Sequence, residues 1–142
     1  MSRHDDKAAD GVADRAAAVL VEEGKVLLIK RTKPDDEYYV MPGGKVEQAE
    51  SPEQACAREV MEEVNLTVQV GELLDDFRDE GRTQFFYRVT RTGGEVQLGD
   101  GPEKGRANDE NRYEPVWIGL DELDEYEVHP KEAAKIIRRA AR

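Results

Sequence analysis

Three glutamates within residues 44–66 lie three and four positions apart, and this spacing constrains the chain more than any other feature. The segment reads GKVEQAESPEQACAREVMEEVNL. On a helix, Glu59, Glu62 and Glu63 would share one face, about one turn apart. Like charges in that arrangement repel one another, so the helix loses stability unless a ligand offsets the repulsion. Carboxylate oxygens suit a hard, partly hydrated cation, and the pattern therefore predicts a magnesium site.

The helix that carries these glutamates is marked at both ends. Ser51 is predicted as the N-cap, Pro52 occupies the first helical position, and Gln54 stands three residues after the cap. Asn65 tolerates a left-handed conformation and is predicted to end the helix after Val64. A helical wheel gives one face for metal and solvent and another for packing on a sheet. The first face contains Ala55, Arg58, Glu59, Glu62 and Glu63, and the second contains Cys56, Ala57, Val60, Met61 and Val64.

An alternative interpretation of this helix is an ordinary acidic amphipathic helix whose charged face is solvated. Two neighbouring features favour a site instead. Pro42, Gly43 and Gly44 precede the helix and leave the backbone free to approach a ligand or a metal ion. Arg58 adjoins Glu59 and is placed to hold its carboxylate.

The spacing over residues 44–66 resembles the Nudix box, G-x5-E-x7-R-E-U-x-E-E-x-G-U, in which U is a bulky aliphatic residue. Asn65 stands where the family has its last glycine. Because asparagine also adopts left-handed conformations, we expect the departure to alter the helix end and to leave the metal site intact. The residues that match the box are Gly44, Glu50, Arg58, Glu59, Val60, Glu62, Glu63 and Leu66.

The resemblance implies an α/β fold of the Nudix type, with a mixed β-sheet sandwiched between α-helices. Residues 27–31 (LLIKR) resemble the family's strand that ends in a basic residue, and residues 117–123 (WIGLDEL) resemble its late strand and short helix. We expect a disordered lead-in over residues 1–14 and a single Nudix hydrolase domain over residues 15–142. Periodicity predicts a hairpin of strands at 16–21 and 25–29, further strands at 38–41, 66–74, 84–90, 95–98 and 116–118, a turn at 93–94, helices from 121 and over 131–141, and loops at 33–37 and 99–113.

The chemistry that the resemblance implies is hydrolysis of a diphosphate linkage in a nucleoside diphosphate derivative or a nucleoside triphosphate, as in a MutT-like pyrophosphohydrolase. Magnesium, or alternatively manganese, would neutralise phosphate charge and activate a water molecule. The expected metal ligands are Glu59, Glu62, Glu63 and the backbone of Gly43. By the resemblance, Arg58 orients Glu59. The expected catalytic residues are Arg58, Glu62, Glu63 and Glu110, and Glu50 either supports the loop or helps to hold metal.

Residues outside the acidic helix complete the expected site. Arg31, Gly44 and Lys45 adjoin the site segments and are expected to bind substrate, although an ordinary surface role for the two cations stays open. The polar stretch 99–113 is expected to close over the nucleotide and bring an acid to the metal or the attacking water. Glu110 is the favoured acid, and the other candidates are Glu103, Asp109 and Glu114.

The charge and the composition exclude several classes of partner. The chain has 142 residues, with 21 Lys and Arg against 32 Asp and Glu, a net charge of −11. This surplus disfavours nucleic acids and anionic membranes as partners, and no apolar run is long enough to span a bilayer. The single cysteine, Cys56, excludes an internal disulfide, so a cytoplasmic location is expected. Both a monomer and a homodimer stay open.

Two further alternatives concern function and substrate. A Nudix-like module that senses a nucleotide without hydrolysing it would usually lack carboxylates of the box, which this chain keeps. Oxidised-guanine hydrolases carry an asparagine after a proline pair near the late helix. The comparable residues here, 129–132, read HPKE, which disfavours an oxidised-guanine substrate. Residues 77–82 contain no proline, which disfavours ADP-ribose. Dinucleoside polyphosphates, sugar nucleotides and phosphorylated alcohols stay open as substrates.

Overall fold

The computed structural model describes residues 13–97 and 111–142, whose strands form two mixed β-sheets with an α-helix packed on either side. The predicted α/β class is confirmed, with two sheets where the sequence predicted one. In chain order the elements are β1 (Arg15–Val19), β2 (Val21–Glu22), β3 (Lys25–Lys33), β4 (Asp36–Val40), β5 (Gly43–Lys45), α1 (Pro52–Val64), β6 (Leu66–Asp79), β7 (Arg82–Gly94), β8 (Arg112–Gly119), a short 3-10 helix (Leu120–Glu125), β9 (Val128–His129) and α2 (Ala133–Ala140).

The two sheets differ in strand order, but each contains one parallel pair. The first sheet has the order β5-β1-β7-β6, in which β1 and β7 are parallel. The second has the order β2-β3-β4-β9, in which β4 and β9 are parallel, and β8 pairs with the other edge of β3. Parallel neighbours need a crossover connection. Segments far apart in sequence therefore meet in both sheets.

Alternation along the strands divides the core into two clusters. Ala16 and Ala18 of β1 lie in the cluster that contains α1, whereas Ala17 and Val19 lie in the cluster that contains α2. β3 alternates in the same way, with its buried odd-numbered residues on the α1 side. Each sheet thus presents one face to each helix, which places α1 and α2 on opposite sides of the fold.

The predicted hairpin of residues 16–21 with 25–29 is wrong in its first strand. The apolar run divides at Leu20, and only Val21 and Glu22 pair with the start of β3. The preceding residues form β1, which lies between β5 and β7 in the other sheet. Gly43 of β5 permits this placement, because a Cβ at that position would clash with the backbone of Ala16 and Ala17.

The hairpin of β6 and β7 is much longer than the sequence predicted. Its turn lies at Glu80 and Gly81, which have φ of 53° and 84°, and left-handed residues of this kind match the twist of a two-residue hairpin. Gly93 and Gly94, predicted as a turn, belong to β7, and residues 95–97 are not a strand. The glycine pair is accommodated because β7 ends there opposite Leu66 and Thr67.

Smaller corrections concern the ends of other elements. The loop predicted at 33–37 is only a short turn between β3 and β4, and β8 begins at Arg112, inside the loop predicted at 99–113. The final helix begins at Ala133, and its Ile136 and Ile137 are fully buried, as expected. Residues 1–12 and 98–110, with most of the predicted lead-in and loop, lie outside the described residues.

Asp14 was assigned to the disordered lead-in, yet it is bonded to the fold. Its carbonyl accepts from the Val46 amide at 2.8 Å, and its carboxylate accepts from the Thr83 amide at 2.9 Å. The described residues include no helix with the length and apolarity of a membrane span.

Candidate active site

Helix α1 is capped at both ends by the residues that the sequence predicted. The Ser51 hydroxyl accepts from the Gln54 amide at 3.1 Å, and the Gln54 side chain accepts from the Ser51 amide at 2.8 Å. Asn65 has φ 63° and ψ 34°, a left-handed conformation that ends the helix. These caps confine α1 to Pro52–Val64 and fix which residues of the acidic segment lie on the helix.

The two faces of α1 do not divide as the wheel predicted. Met61, expected on the packing face, is 42% exposed, whereas Ala55, expected on the open face, is fully buried. Glu59 and Glu63 are only 9% and 5% exposed. The reason is that β5 and the Gly43–Gly44 pair cover the carboxylate side of the helix, so this side is enclosed rather than open to solvent.

Arg58 joins three of the predicted carboxylates. Its guanidinium binds Glu50 through two bonds, from Nε at 2.7 Å and from Nη2 at 3.0 Å. Nη1 donates to Glu59 and to Glu62, each at 3.1 Å. Nη2 also donates to the Lys45 carbonyl at 2.9 Å. One planar cation thereby sets the positions of the loop and of two glutamates on the helix.

Glu50 fixes the loop between β5 and α1. In addition to the Arg58 bonds, its carboxylate accepts from the Glu47 amide at 3.0 Å. The hydrogen bonds from Arg58 lower the pKa of the Glu50 carboxyl, and the same bonds raise the pKa of the Arg58 guanidinium above its usual range. These shifts favour the ionised form of both groups, and the ion pair orders the loop beside the helix.

The glycine pair contacts the two buried glutamates. The Gly43 amide donates to the Glu63 carboxylate at 3.0 Å. A Cβ on Gly44 would lie 2.5 and 2.6 Å from the two carboxylate oxygens of Glu59. Position 44 therefore has room only for glycine, because the Glu59 carboxyl fills the space that a side chain would take.

The donor set fits a hard divalent cation in its chemistry. Glu59, Glu62, Glu63 and the Gly43 carbonyl offer oxygen ligands, and burial of anionic carboxylates favours a cation beside them. Within residues 13–97 and 111–142, however, no three Asp, Glu, His or Cys side chains are already gathered as a metal site. Arg58 bonds to one carboxylate oxygen of Glu59 and to one of Glu62.

The two cations predicted to bind substrate, Lys45 and Arg31, have different surroundings. Lys45 supplies its carbonyl to Arg58 and is itself exposed. Arg31 lies in the second sheet, where its guanidinium stacks 4.0 Å from the Tyr113 ring centroid and donates to the Tyr113 hydroxyl at 2.9 Å. Arg31 is therefore held by an aromatic residue of the neighbouring strand β8.

Three of the four candidate acids in the late polar stretch, Glu103, Asp109 and Glu110, lie outside the described residues. The role of Glu110 therefore remains a prediction. Glu114 is exposed on β8 opposite Lys30, whereas its neighbour Tyr113 is opposite Arg31. Alternation puts Glu114 on the other face of the sheet from Arg31.

Sequence reasoning missed a row of planar side chains around Arg31. The row crosses four strands and consists of His129 on β9, Tyr38 on β4, Arg31 on β3 and Tyr113 on β8. The individual residues Tyr38, Tyr113 and His129 are visible in the sequence. The pairing that gathers these residues is not, because it joins positions as distant in sequence as Tyr38 and His129.

Comparisons with known proteins agree on one family. A family model described as the NUDIX domain matches residues 12–140. An 8-oxo-dGTP diphosphatase from Haemophilus influenzae is 33% identical over 131 residues, which cover 87% of this chain and 88% of that protein. Diphosphoinositol polyphosphate phosphohydrolase 2 from Rattus norvegicus is 34% identical over 90 residues, which cover 61% of this chain and 50% of that protein.

Solved structures show the same fold. A NUDIX hydrolase from Nitrosomonas europaea superposes with a TM-score of 0.70 at 20% identity, covering 91% of this chain and 88% of that one. At this level of identity the similarity shows the fold alone. The chain spans about half the length of some of the curated relatives it matches.

Proposed function

Because the chain belongs to the NUDIX family, we propose that it is a hydrolase of phosphoric anhydride bonds that cleaves a diphosphate linkage in a nucleoside diphosphate derivative or a nucleoside triphosphate. The observation that carries this proposal is the Arg58 network, which holds Glu50, Glu59 and Glu62 beside the Gly43–Gly44 pair. This network keeps Glu59 and Glu62 together on the helix, where they would otherwise repel one another, and ties them to Glu50 in the loop.

The proposed metal ligands are Glu59, Glu62, Glu63 and the Gly43 carbonyl, and magnesium is the proposed ion. When bound, a divalent cation would neutralise phosphate charge and lower the pKa of a coordinated water. All the proposed side-chain ligands are carboxylates, which suits a hard ion and disfavours a soft one.

The chain's own residues divide the remaining work. Arg58 orients Glu59 and Glu62, and Glu50 anchors Arg58 to the loop. The Gly43 amide orients Glu63. Glu62, whose side chain is 41% exposed, and Glu63 are the proposed acceptors of the proton from the attacking water. Cleavage of the P–O–P linkage by water adds the hydroxyl to one phosphorus and releases the other phosphate as the leaving group.

The test is phosphate or pyrophosphate release from a panel of nucleoside triphosphates, dinucleoside polyphosphates and nucleoside diphosphate sugars. We expect turnover with magnesium and its loss with EDTA. Binding of nucleotides without turnover of any substrate would instead favour a nucleotide-sensing module. Absence of both binding and turnover across the panel would contradict the proposal.

A further inference from the structure

Strand β1 holds the backbone that leads into Gly43. The Arg15 guanidinium donates from Nη2 to the Met41 carbonyl at 3.1 Å, a contact between residues 26 positions apart. The Ala18 amide donates to the Pro42 carbonyl at 2.8 Å. Two successive carbonyls are therefore fixed by the same strand, one through a side chain and one through a backbone amide.

The Pro42–Gly43 peptide connects β1 with helix α1. Its carbonyl accepts from Ala18 on β1, and its amide donates to the Glu63 carboxylate at 3.0 Å. A trans peptide is planar, and its carbonyl and amide point in opposite directions. One rigid unit therefore lies between the strand and the glutamate. A rotation of this unit would move the Gly43 amide away from Glu63 and would also turn the rest of the Gly43 backbone.

The preceding peptide, between Met41 and Pro42, has a single group that can form a conventional hydrogen bond. Proline has no amide hydrogen, so this peptide offers its carbonyl alone. Met41 is 1% exposed, and a carbonyl in such surroundings costs free energy when it lacks a partner. Arg15 supplies that partner with a charged donor, which forms a stronger bond than a neutral donor does.

The Arg15 bond restrains the last soft rotation before the site. The ring of Pro42 locks its φ, so the two peptide planes turn relative to one another mainly through ψ of Pro42. The bonds from Arg15 and Ala18 hold the planes on either side of that dihedral. The close packing of β1 on Gly43 leaves little room for adjustment, because a Cβ on Gly43 would lie 2.3 Å from the Ala16 carbonyl oxygen.

We infer that Arg15 is a positioning residue of the site, which acts through the Met41 carbonyl and the Pro42–Gly43 peptide on Glu63 and on the Gly43 carbonyl. This inference rests on the proposed function, in which Glu63 and the Gly43 carbonyl are ligands of the metal ion. Two rival explanations are a purely structural role in holding the loop on β1 and a direct contact of the Arg15 cation with a substrate phosphate.

The experiment compares two replacements of Arg15 with a matched control. Arg15→Met keeps an unbranched side chain and removes both the donor and the charge, whereas Arg15→Lys keeps a donor and a charge. Arg88→Met is the control, because Arg88 also lies in the first sheet and donates to a main-chain carbonyl, that of Arg139, at 3.0 Å. That carbonyl belongs to α2, on the opposite side of the fold from α1.

Three measurements separate the explanations. The first is the proton shift and the hydrogen-exchange rate of the Gly43 amide in metal-free protein. The second is the Kd for manganese, which suits the same oxygen ligands, from the paramagnetic resonance of the free ion. The third is kcat and KM at saturating magnesium for the nucleotide that the wild type prefers. Thermal melts check that each variant is folded.

In Arg15→Met we expect a shifted and faster-exchanging Gly43 amide, a Kd for manganese raised by about tenfold, and a kcat lowered by about tenfold with a smaller change in KM. Arg15→Lys should show intermediate changes of about threefold, because lysine keeps a charged donor without the planar fork. It carries the comparison if Arg15→Met does not fold. Arg88→Met should keep the wild-type amide signal, Kd and kcat, even with a lowered melting temperature.

Three results would overturn the inference. An unchanged Gly43 amide and Kd with a lowered melting temperature would leave Arg15 a structural role only. A raised KM with an unchanged amide and Kd would assign Arg15 to the substrate phosphates. A changed amide without any change in Kd or kcat would show that the site tolerates the movement.

Failure of the proposed function is recognised separately, in the wild type. A wild type that neither binds manganese nor hydrolyses any nucleotide would refute the proposed function. The Gly43 amide then decides alone whether Arg15 positions this peptide. A signal in Arg15→Met that differs from those of the wild type and Arg88→Met would support the positioning role, and a wild-type signal in Arg15→Met would overturn it.

Discussion

The carboxyl group of Glu59 occupies the space beside Gly44 that any side chain at position 44 would fill. The glycine is therefore required by a contact across the site, and the conformation of the backbone does not by itself explain it. The relationship links the loop before α1 to a glutamate in the middle of the helix, and it predicts how the site responds when either residue changes.

Gly44→Ala should displace Glu59 from Arg58 and lower turnover by about 10- to 100-fold, the effect usual for residues that orient metal ligands. Gly93→Ala is the matched control, because a Cβ on Gly93 would make only ordinary contacts with Thr67 at 3.9 and 4.0 Å. Steady-state kinetics of the two variants make the comparison. Similar activity in both would show that Glu59 need not hold its position.

Glu50→Gln should destabilise the protein by about 1.5–3 kcal/mol at neutral pH, since it weakens charged hydrogen bonds to Arg58. Arg58→Lys should have a cost of similar size because lysine lacks the planar fork. The double variant should cost less than the sum of the two single variants. Urea unfolding in metal-free buffer measures the free energy of unfolding of the wild type, the two single variants and the double variant. Strictly additive losses would mean that the two residues act separately.

The same pair predicts a pH dependence. Hydrogen bonds from Arg58 lower the pKa of Glu50 in the folded protein below its ordinary value of 4.5. The stabilisation is therefore present above that value and is lost as the pH falls through the folded pKa. The stability difference between wild type and Glu50→Gln should shrink on acidification. A difference that stays constant down to the acid transition would argue against the ion pair.

Asn65→Gly should be tolerated within about 0.5 kcal/mol, because glycine adopts φ of 63° without strain. The asparagine side chain makes only a long 3.4 Å contact with the Glu95 carbonyl. Asn65→Val should cost about 1–2 kcal/mol, because a β-branched residue is strained in a left-handed conformation. Thermal melts decide between these outcomes. A clear loss in Asn65→Gly would mean that the weak contact contributes more than its length indicates.

Burial raises the pKa of the Cys56 thiol to about 12. A thiol reagent at pH 8 should therefore label the native protein at least roughly a thousandfold more slowly than the urea-unfolded protein, since the thiolate is the reactive form. Because the folded pKa lies above the unfolded one, this group's contribution to stability is lost as the pH rises towards 12. Rapid labelling of native protein would contradict the burial of Cys56.

Local features of the site could be predicted from the sequence because they depend on neighbours along the chain. Ser51, Pro52, Gln54 and Asn65 define the ends of α1 through contacts within a few residues. The spacing of Arg58 to Glu62 likewise follows from the helix alone. For such features, a helix prediction is already a prediction of geometry.

Features that depend on distant pairing could not be predicted in the same way. The alanines of β1 form a strand beside β7 because of a parallel register with residues 84–88, and no local pattern encodes that register. The contacts of Arg31 depend on Tyr38 and Tyr113, which approach from two other strands. Met61 is exposed because the sheets cover a different sector of α1 from the one that hydrophobicity alone indicated.

The measurement that tests the central claim most directly is magnesium-dependent phosphate release by Glu63→Gln, with Glu47→Gln as the matched control. Glu63 is 5% exposed and bound to the Gly43 amide, whereas Glu47 is exposed and contributes only its backbone to the loop. The account predicts that Glu63→Gln loses turnover by orders of magnitude at saturating magnesium while it remains folded, and that Glu47→Gln behaves as wild type. Equal turnover of Glu63→Gln and wild type at saturating magnesium would contradict the assignment of the acidic face of α1 as the catalytic centre.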